Sequence, residues 1–288
     1  MYSPKNIIKI TETPRDAMQG LKPFIATEVK ANYINSLLKV GFDTIDFGSF
    51  VSPKAIPQLA DTAEVLNKLD LSNTKTKLLA IIGNIKGAER AVEFEKITYL
   101  GFPFSISETF LKLNIKSTFK ESLKTVEEIN NLCIKKNKEP LIYLSMAFGN
   151  PYGDRYDKEI VYSSVEHLKK IGIKTIVLAD TLGIGNKSII YDLYATLIPC
   201  YSDLEFGFHL HVTPTDWYEK VDSAYKAGCR RFDSAILGMG GCPMSSKEMI
   251  GNLSTENMVY YIQKNNIDSN IDFQAFDNAV DKAKIVFA

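Results

Sequence analysis

His209-Leu210-His211 holds two of the three histidines in the chain. The stretch Leu204–His211 has the apolar, aromatic character of a strand, and residues i and i+2 of a strand share a face. Two imidazoles on one face converge on one point, which is what a divalent cation needs from a rigid scaffold. The plainer alternative is a pair of hydrogen-bonded histidines at a strand end. Asp16 adds a carboxylate and Asn252 an amide oxygen. Mixed nitrogen and oxygen donors suit Mg²⁺, Mn²⁺ or another ion that polarises substrate oxygens. Arg15, next to Asp16, can hold a carboxylate or a developing oxyanion in its planar fork. Cys242 stands between Gly241 and Pro243, where a thiol can carry a proton. On their own, a solvated acid, a turn asparagine, a surface arginine and an incidental loop cysteine are the competing readings of these four.

Eight apolar, β-branched runs supply the elements that would position these residues. They are Ile7–Thr13, Thr44–Ser49, Lys77–Gly83, Lys96–Gly101, Leu141–Ala147, Thr175–Asp180, Leu204–His211 and Arg230–Leu237. Helical periodicity lies between most of them. Phe119–Lys136 carries a stripe of Leu123, Val126, Ile129, Leu132 and Cys133. Lys158–Ile171 and Trp217–Ala227 are similar, followed by Gly172 and Gly228 as C-terminal caps. Eight alternations predict an α/β fold, a (β/α)8 TIM barrel, rather than an open doubly wound sheet. No linker or low-complexity run interrupts residues 1–288, which read as a single catalytic domain. In such barrels chemistry sits at the C-terminal ends of the strands. There the sequence places Arg15 and Asp16, Asp46 to Ser49, Asp180, the two histidines and Gly238–Pro243.

The 288 residues are 45% hydrophobic and 24% charged, with a formal net charge of zero. That balance argues against a nucleic-acid partner, which usually draws a basic excess. No apolar run is long enough to span a bilayer, and a first strand near Ile7 leaves no room for a leader. Cys133, Cys200, Cys229 and Cys242 lack zinc-type spacing, so a reduced, cytoplasmic setting is expected. The first three are read as structural, Cys133 on its apolar stripe. Gly183-Ile184-Gly185 lacks the third glycine of a dinucleotide fingerprint and reads as a turn with weak binding potential. His167 reads as a solvated or satisfied helix histidine, and Trp217 as a packing residue.

Taken together, these pieces resemble the 3-hydroxy-3-methylglutaryl-CoA lyase family, within the metal-dependent barrel group of Claisen-type lyases and synthases. The matching segments are Glu12-Thr13-Pro14-Arg15-Asp16-Ala17-Met18-Gln19, Ser49-Phe50-Val51-Ser52-Pro53-Lys54 and Asn84-Ile85-Lys86-Gly87. They continue with Pro151-Tyr152, Asp180-Thr181-Leu182-Gly183 and His209-Leu210-His211. Gly240-Gly241-Cys242-Pro243 and Gly251-Asn252-Leu253-Ser254-Thr255-Glu256 complete the set. The Ser-Phe-Val-Ser-Pro-Lys and Gly-Gly-Cys-Pro pieces are specific to the lyase, whereas Arg-Asp and His-x-His belong to the wider group.

The resemblance implies cleavage of 3-hydroxy-3-methylglutaryl-CoA to acetoacetate and acetyl-CoA. It implies a divalent cation, Mg²⁺ or Mn²⁺, on Asp16, His209, His211 and Asn252. It gives catalytic roles to Cys242, Arg15, Asp16 and His209, and substrate contacts to Arg15, Gln19, Ser49 and Asp180. An acyl-CoA substrate and a homodimer follow, as does an association with leucine degradation and ketone-body formation that leaves the supplying pathway open. The chain departs from the family in three places: Val212 stands where Asp is common, Asp46 where Glu is usual, and residues 243–252 form an altered loop. Rival readings are a condensing synthase of the same group, an aldolase acting on another hydroxy-oxo acid, and a barrel that binds without catalysing.

Overall fold

The structure, a computed structural model, describes residues 7–241 and 250–288. Its centre is built from β1 (Lys9–Glu12), β2 (Thr44–Ser49), β3 (Lys77–Ile81), β4 (Ile97–Ser105), β5 (Glu139–Ser145), β6 (Thr175–Asp180), β7 (Glu205–Val212) and β8 (Arg231–Ser234). Strands β1 to β8 pair in parallel in chain order, and β8 pairs back onto β1, so the sheet closes on itself. This is a (β/α)8 TIM barrel. A two-residue strand, β9 (Gly251–Asn252), lies antiparallel to β7 and sets Asn252 opposite His211.

Helices pack around the barrel: α1 (Pro14–Gln19), α2 (Thr27–Leu37), α3 (Thr62–Asn67), α4 (Ile85–Ala91), α5 (Glu108–Ile115) and α6 (Phe119–Lys135). After β5 come α7 (Lys158–Ile171), α8 (Lys187–Cys200), α9 (Trp217–Lys226), α10 (Thr255–Lys264) and α11 (Phe273–Val286). Their ends follow local chemistry. Thr118 and Glu121 form a capping box before α6. Gly172 ends α7 in the left-handed region at φ 103°, as the sequence predicts, because only glycine enters it without a Cβ penalty. No described helix is long and apolar enough to cross a membrane.

Two strands differ from expectation. Strand β4 runs on to Ser105 through Pro103. Beyond Gly101 it pairs with β5 alone, so the missing proline N–H faces no partner. Strand β8 stops at Ser234, because Ile236–Gly238 is a 3-10 turn with Leu237 at φ 62°. Cys133 and Cys229 are buried as expected, and burial pushes both thiols up to about 12. Cys200 is exposed at the end of α8, so the packing role expected for it does not hold. Trp217 packs edge-on against Tyr218 and Tyr260, and His167 rests against Phe119.

Most apolar residues lie between strands and helices, in one continuous core. A second cluster of Leu79, Ile81, Tyr99, Leu141, Tyr143 and Val177 comes from alternate positions of β3 to β6. It fills one half of the barrel interior. The other half, from β7, β8, β1 and β2, is polar: Glu205, His209, Arg231, Asp233, Thr11, Thr44 and Asp46. Gly207 makes this possible, because a Cβ there would stand 3.0 Å from the Arg231 side chain.

Candidate metal centre and active site

The histidines of β7 meet as the strand period predicts, with their Nε2 atoms 3.4 Å apart. Nδ1 of His211 lies 2.9 Å from the Thr181 carbonyl. A carbonyl only accepts, so that nitrogen carries the proton and Nε2 is bare. Nδ1 of His209 faces the Asp233 carboxylate at 3.3 Å, which sets the same tautomer. The two Nε2 atoms therefore face one another within hydrogen-bond reach, a contact that a cation between them would replace. Asp16 closes the group: one donor atom from each of Asp16, His209 and His211 lies within 4.8 Å of the others. Strand β9 adds Asn252, whose Nδ2 donates to Asp16 at 2.6 Å and to the Met239 carbonyl at 2.9 Å. Its Oδ1 is buried with no hydrogen-bond partner.

These donors fit a divalent cation. Buried polar atoms are nearly always satisfied. Here the Asn252 amide oxygen has no partner, beside a carboxylate and two ring nitrogens whose Nε2 atoms meet only each other. Metal-ligating histidines commonly give their second N–H to a carboxylate or a carbonyl, as both do here. Burial, helped by the charge of His209, pushes His211 down to about 4, keeping it neutral. Burial also pulls His209 down, but Asp233 outweighs it and raises the ring above its usual value. For Asp16, burial pushes up, while Arg15, His209 and the Asn252 amide bring the carboxyl below its ordinary range.

Arg15 stands beside this group on α1. Its Nε and Nη2 both donate to Asp46 Oδ2, at 2.9 and 2.7 Å. Nη1 reaches Asp16 at 3.1 Å and Gln19 at 2.9 Å, and Gln19 donates to Asp16 at 2.6 Å. Burial lifts the Asp46 carboxyl to about 6 against the pull of Arg15, and its second oxygen is unpartnered.

The remaining expected residues lie at the same mouth but are turned to other work. Ser49 gives its hydroxyl to the Ile81 carbonyl and accepts from the Val51 amide. Asp180 accepts the amides of Ile184 and Gly185, and Lys220. The Gly183-Ile184-Gly185 turn thus wraps an internal carboxylate. Cys242 lies outside the described residues. Sequence reading missed Asp233, Tyr143 and Lys220. Tyr143 sits edge-on to His209, with ring centres 5.8 Å apart. Asp233 had a signal: with Arg231 it marks polar alternation inside a run read only as apolar.

Fold and site define a (β/α)8 barrel whose mouth gathers nitrogen and oxygen donors that could hold a cation. The HMGL-like family profile matches residues 6–282, and the chain belongs to that family. It is 32% identical to the hydroxymethylglutaryl-CoA lyase of Bacillus subtilis, over 95% of this chain and 91% of that protein. It is 30% identical to the mitochondrial hydroxymethylglutaryl-CoA lyase of Macaca fascicularis, over 94% of this chain and 82% of that protein. Among solved structures, an HMG-CoA lyase from Acinetobacter baumannii in complex with coenzyme A and 3-methylmalate superposes with a TM-score of 0.91. Its identity is 32%, with 99% of this chain and 93% of that one covered.

Proposed function

We propose that this protein is a carbon–carbon lyase that cleaves 3-hydroxy-3-methylglutaryl-CoA to acetoacetate and acetyl-CoA, with residues 1–288 acting as one catalytic unit. The observation that carries this reading is the buried, unpartnered Asn252 Oδ1 with the facing Nε2 atoms of His209 and His211, gathered around Asp16 beside the Arg15 fork. Family membership supplies the substrate. In the reaction the tertiary hydroxyl gives its proton to a base of the site and becomes the carbonyl of acetoacetate, and this proton balances the one the enolate carbon later takes up. The bond between C2 and C3 breaks, its electron pair passes into the thioester as an enolate, and the enolate carbon takes a proton.

Asp16, His209, His211 and Asn252 would hold a divalent cation, Mg²⁺ or Mn²⁺, which would supply Lewis-acid activation of the substrate's tertiary hydroxyl. Asp233 and the Thr181 carbonyl keep both rings turned inward. Arg15, fixed by Asp46 and Gln19, offers charge to the enolate oxygen. Cys242 supplies the proton to the enolate carbon. Ser49 and Asp180 contact the substrate at the mouth, Ser49 beside the backbone it holds and Asp180 beside the turn it anchors. The reading includes an acyl-CoA thioester as partner, a homodimer and a cytoplasmic setting.

A coupled assay for acetoacetate tests it. Chelator-treated protein is expected to be inactive, and Mg²⁺ or Mn²⁺ to restore turnover. Full activity in verified metal-free protein sinks the cation assignment, and no acetoacetate under any metal sinks the substrate. Cys242→Ser is expected to keep Mn²⁺ binding and lose about 10²–10⁴-fold in kcat, the usual worth of a placed proton donor. Turnover near the wild-type rate would mean that another group carries the proton.

A further inference from the structure

Lysine is among the residues least often buried, yet Lys220, in the first turn of α9, is only 3% exposed. An ammonium has three N–H donors, and three acceptors surround this one. They are the Gly183 carbonyl at 2.7 Å, Asp216 Oδ2 at 3.0 Å and Asp180 Oδ2 at 3.4 Å. Asp216 uses its other oxygen to accept the amide and hydroxyl of Thr213. Asp180 also accepts the amides of Ile184 and Gly185. One side chain therefore clasps the turn after β6 to the turn after β7, at the catalytic mouth.

The turn after β6 bears directly on a proposed ligand. Its Thr181 carbonyl receives the Nδ1 proton of His211, and Gly183 lies against the His211 backbone. A Cβ on Gly183 would stand 2.7 Å from the His211 carbonyl oxygen. The turn has one apolar anchor, the buried Leu182; beyond it Ile184 is 53% exposed and Gly183 takes φ +65°. On that exposed side its place is held by polar ties, and Lys220 makes two of them. We infer that Lys220 is a positioning residue: it holds the turn after β6 so that the Thr181 carbonyl keeps His211 Nε2 aimed at Asp16. This deepens the proposed function and rests on its cation site.

Mn²⁺ affinity of the metal-free, full-length protein, read by the electron paramagnetic resonance of free Mn²⁺, tests the clasp. Lys220→Met is expected to weaken Mn²⁺ binding about tenfold, the low end for outer partners of a metal ligand. Lys30→Met is the control. Lys30 is equally buried and paired with Asp61 at 2.8 Å, away from the site. It is expected to lower the melting temperature and leave Mn²⁺ affinity within about twofold of wild type, since it supports no ligand. Should Lys220→Met not fold, Gly183→Ala keeps the lysine and presses the turn away from His211, with the same tenfold loss expected. Folded Lys220→Met, or in its place Gly183→Ala, with wild-type Mn²⁺ affinity overturns the inference. Failure of the wild type to take up Mn²⁺ removes the cation site itself and the clasp with it. Wild-type binding with an unaltered variant places the failure on the clasp alone.

Discussion

Arg15 shows how much of this site rests on single side chains. Among the described residues its hydrogen bonds run to acids or amides of the site: Asp46 twice, Asp16 and Gln19. A charge fixed in this way costs no reorganisation when an enolate forms, and such donors are typically worth about 10²–10³-fold in rate. Arg15→Gln is therefore expected to lower kcat by about that factor with KM little changed. Steady-state kinetics on the acyl-CoA decide it. A raised KM with unchanged kcat would make Arg15 a uniform binder instead. At this scale the site was largely legible. A histidine pair at strand spacing, an adjacent Arg-Asp and a Gly-Asn after the last strand each carry their chemistry in the sequence. Asp233, Tyr143 and Lys220 were not legible. Each looks ordinary in its own segment and gains its role only from closure, which brings β8, β5 and α9 to the same histidines.

Among the elements, the short segment from Gly251 to Thr255 joins more than its length suggests. Strand β9 supplies Asn252, and Thr255, at the start of α10, gives its hydroxyl to Glu12. Glu12 also accepts the amide of Ile236, beyond β8. One buried carboxyl thus ties β1 to both chain segments that flank residues 242–249. Burial pushes it up to about 8, against the hydrogen bonds from Thr255 and Ile236. A folded pKa above the unfolded 4.5 means that its stabilising contribution is complete below pH 4.5 and is lost as pH rises through about 8. Glu12→Gln keeps the shape without the ionisation. Thermal melts across that window are expected to show the wild type losing stability more steeply, with the variant melting higher at pH 8. Identical slopes would mean that Glu12 does not titrate with folding. Long elements were readable because apolar runs of strand length and helical stripes each have a period. Strand β9 was not, since two residues have none, and β4 runs past Gly101 because its one-sided pairing tolerates Pro103.

For the whole molecule, the division of the barrel interior matters most. At the N-terminal end Arg231, 1% exposed, pairs with Asp43 at 2.9 Å and Glu205 at 3.1 Å. It also donates to Thr11 and Thr44, tying four strands together below the site. Removing one partner of a buried ion pair commonly costs about 3–5 kcal/mol. Arg231→Met is expected to lose an amount of that order in urea unfolding and to keep its Mn²⁺ affinity, because it lies on the stability face. A parallel loss of Mn²⁺ binding would show that the two ends are not separable. The upper end has a different consequence. Asp16 and Asn252 touch across a separation of 236 residues in sequence. Neither half of the barrel owns the cation site, and a growing chain has no complete site until its last fifth has docked. An ion bound at the proposed site would therefore act as a staple on the seam between the first strand and the last. At a hundredfold excess over its Kd it would add about 2.7 kcal/mol against opening, so on the proposed function metal supply would set how long the barrel stays shut as well as how fast it works.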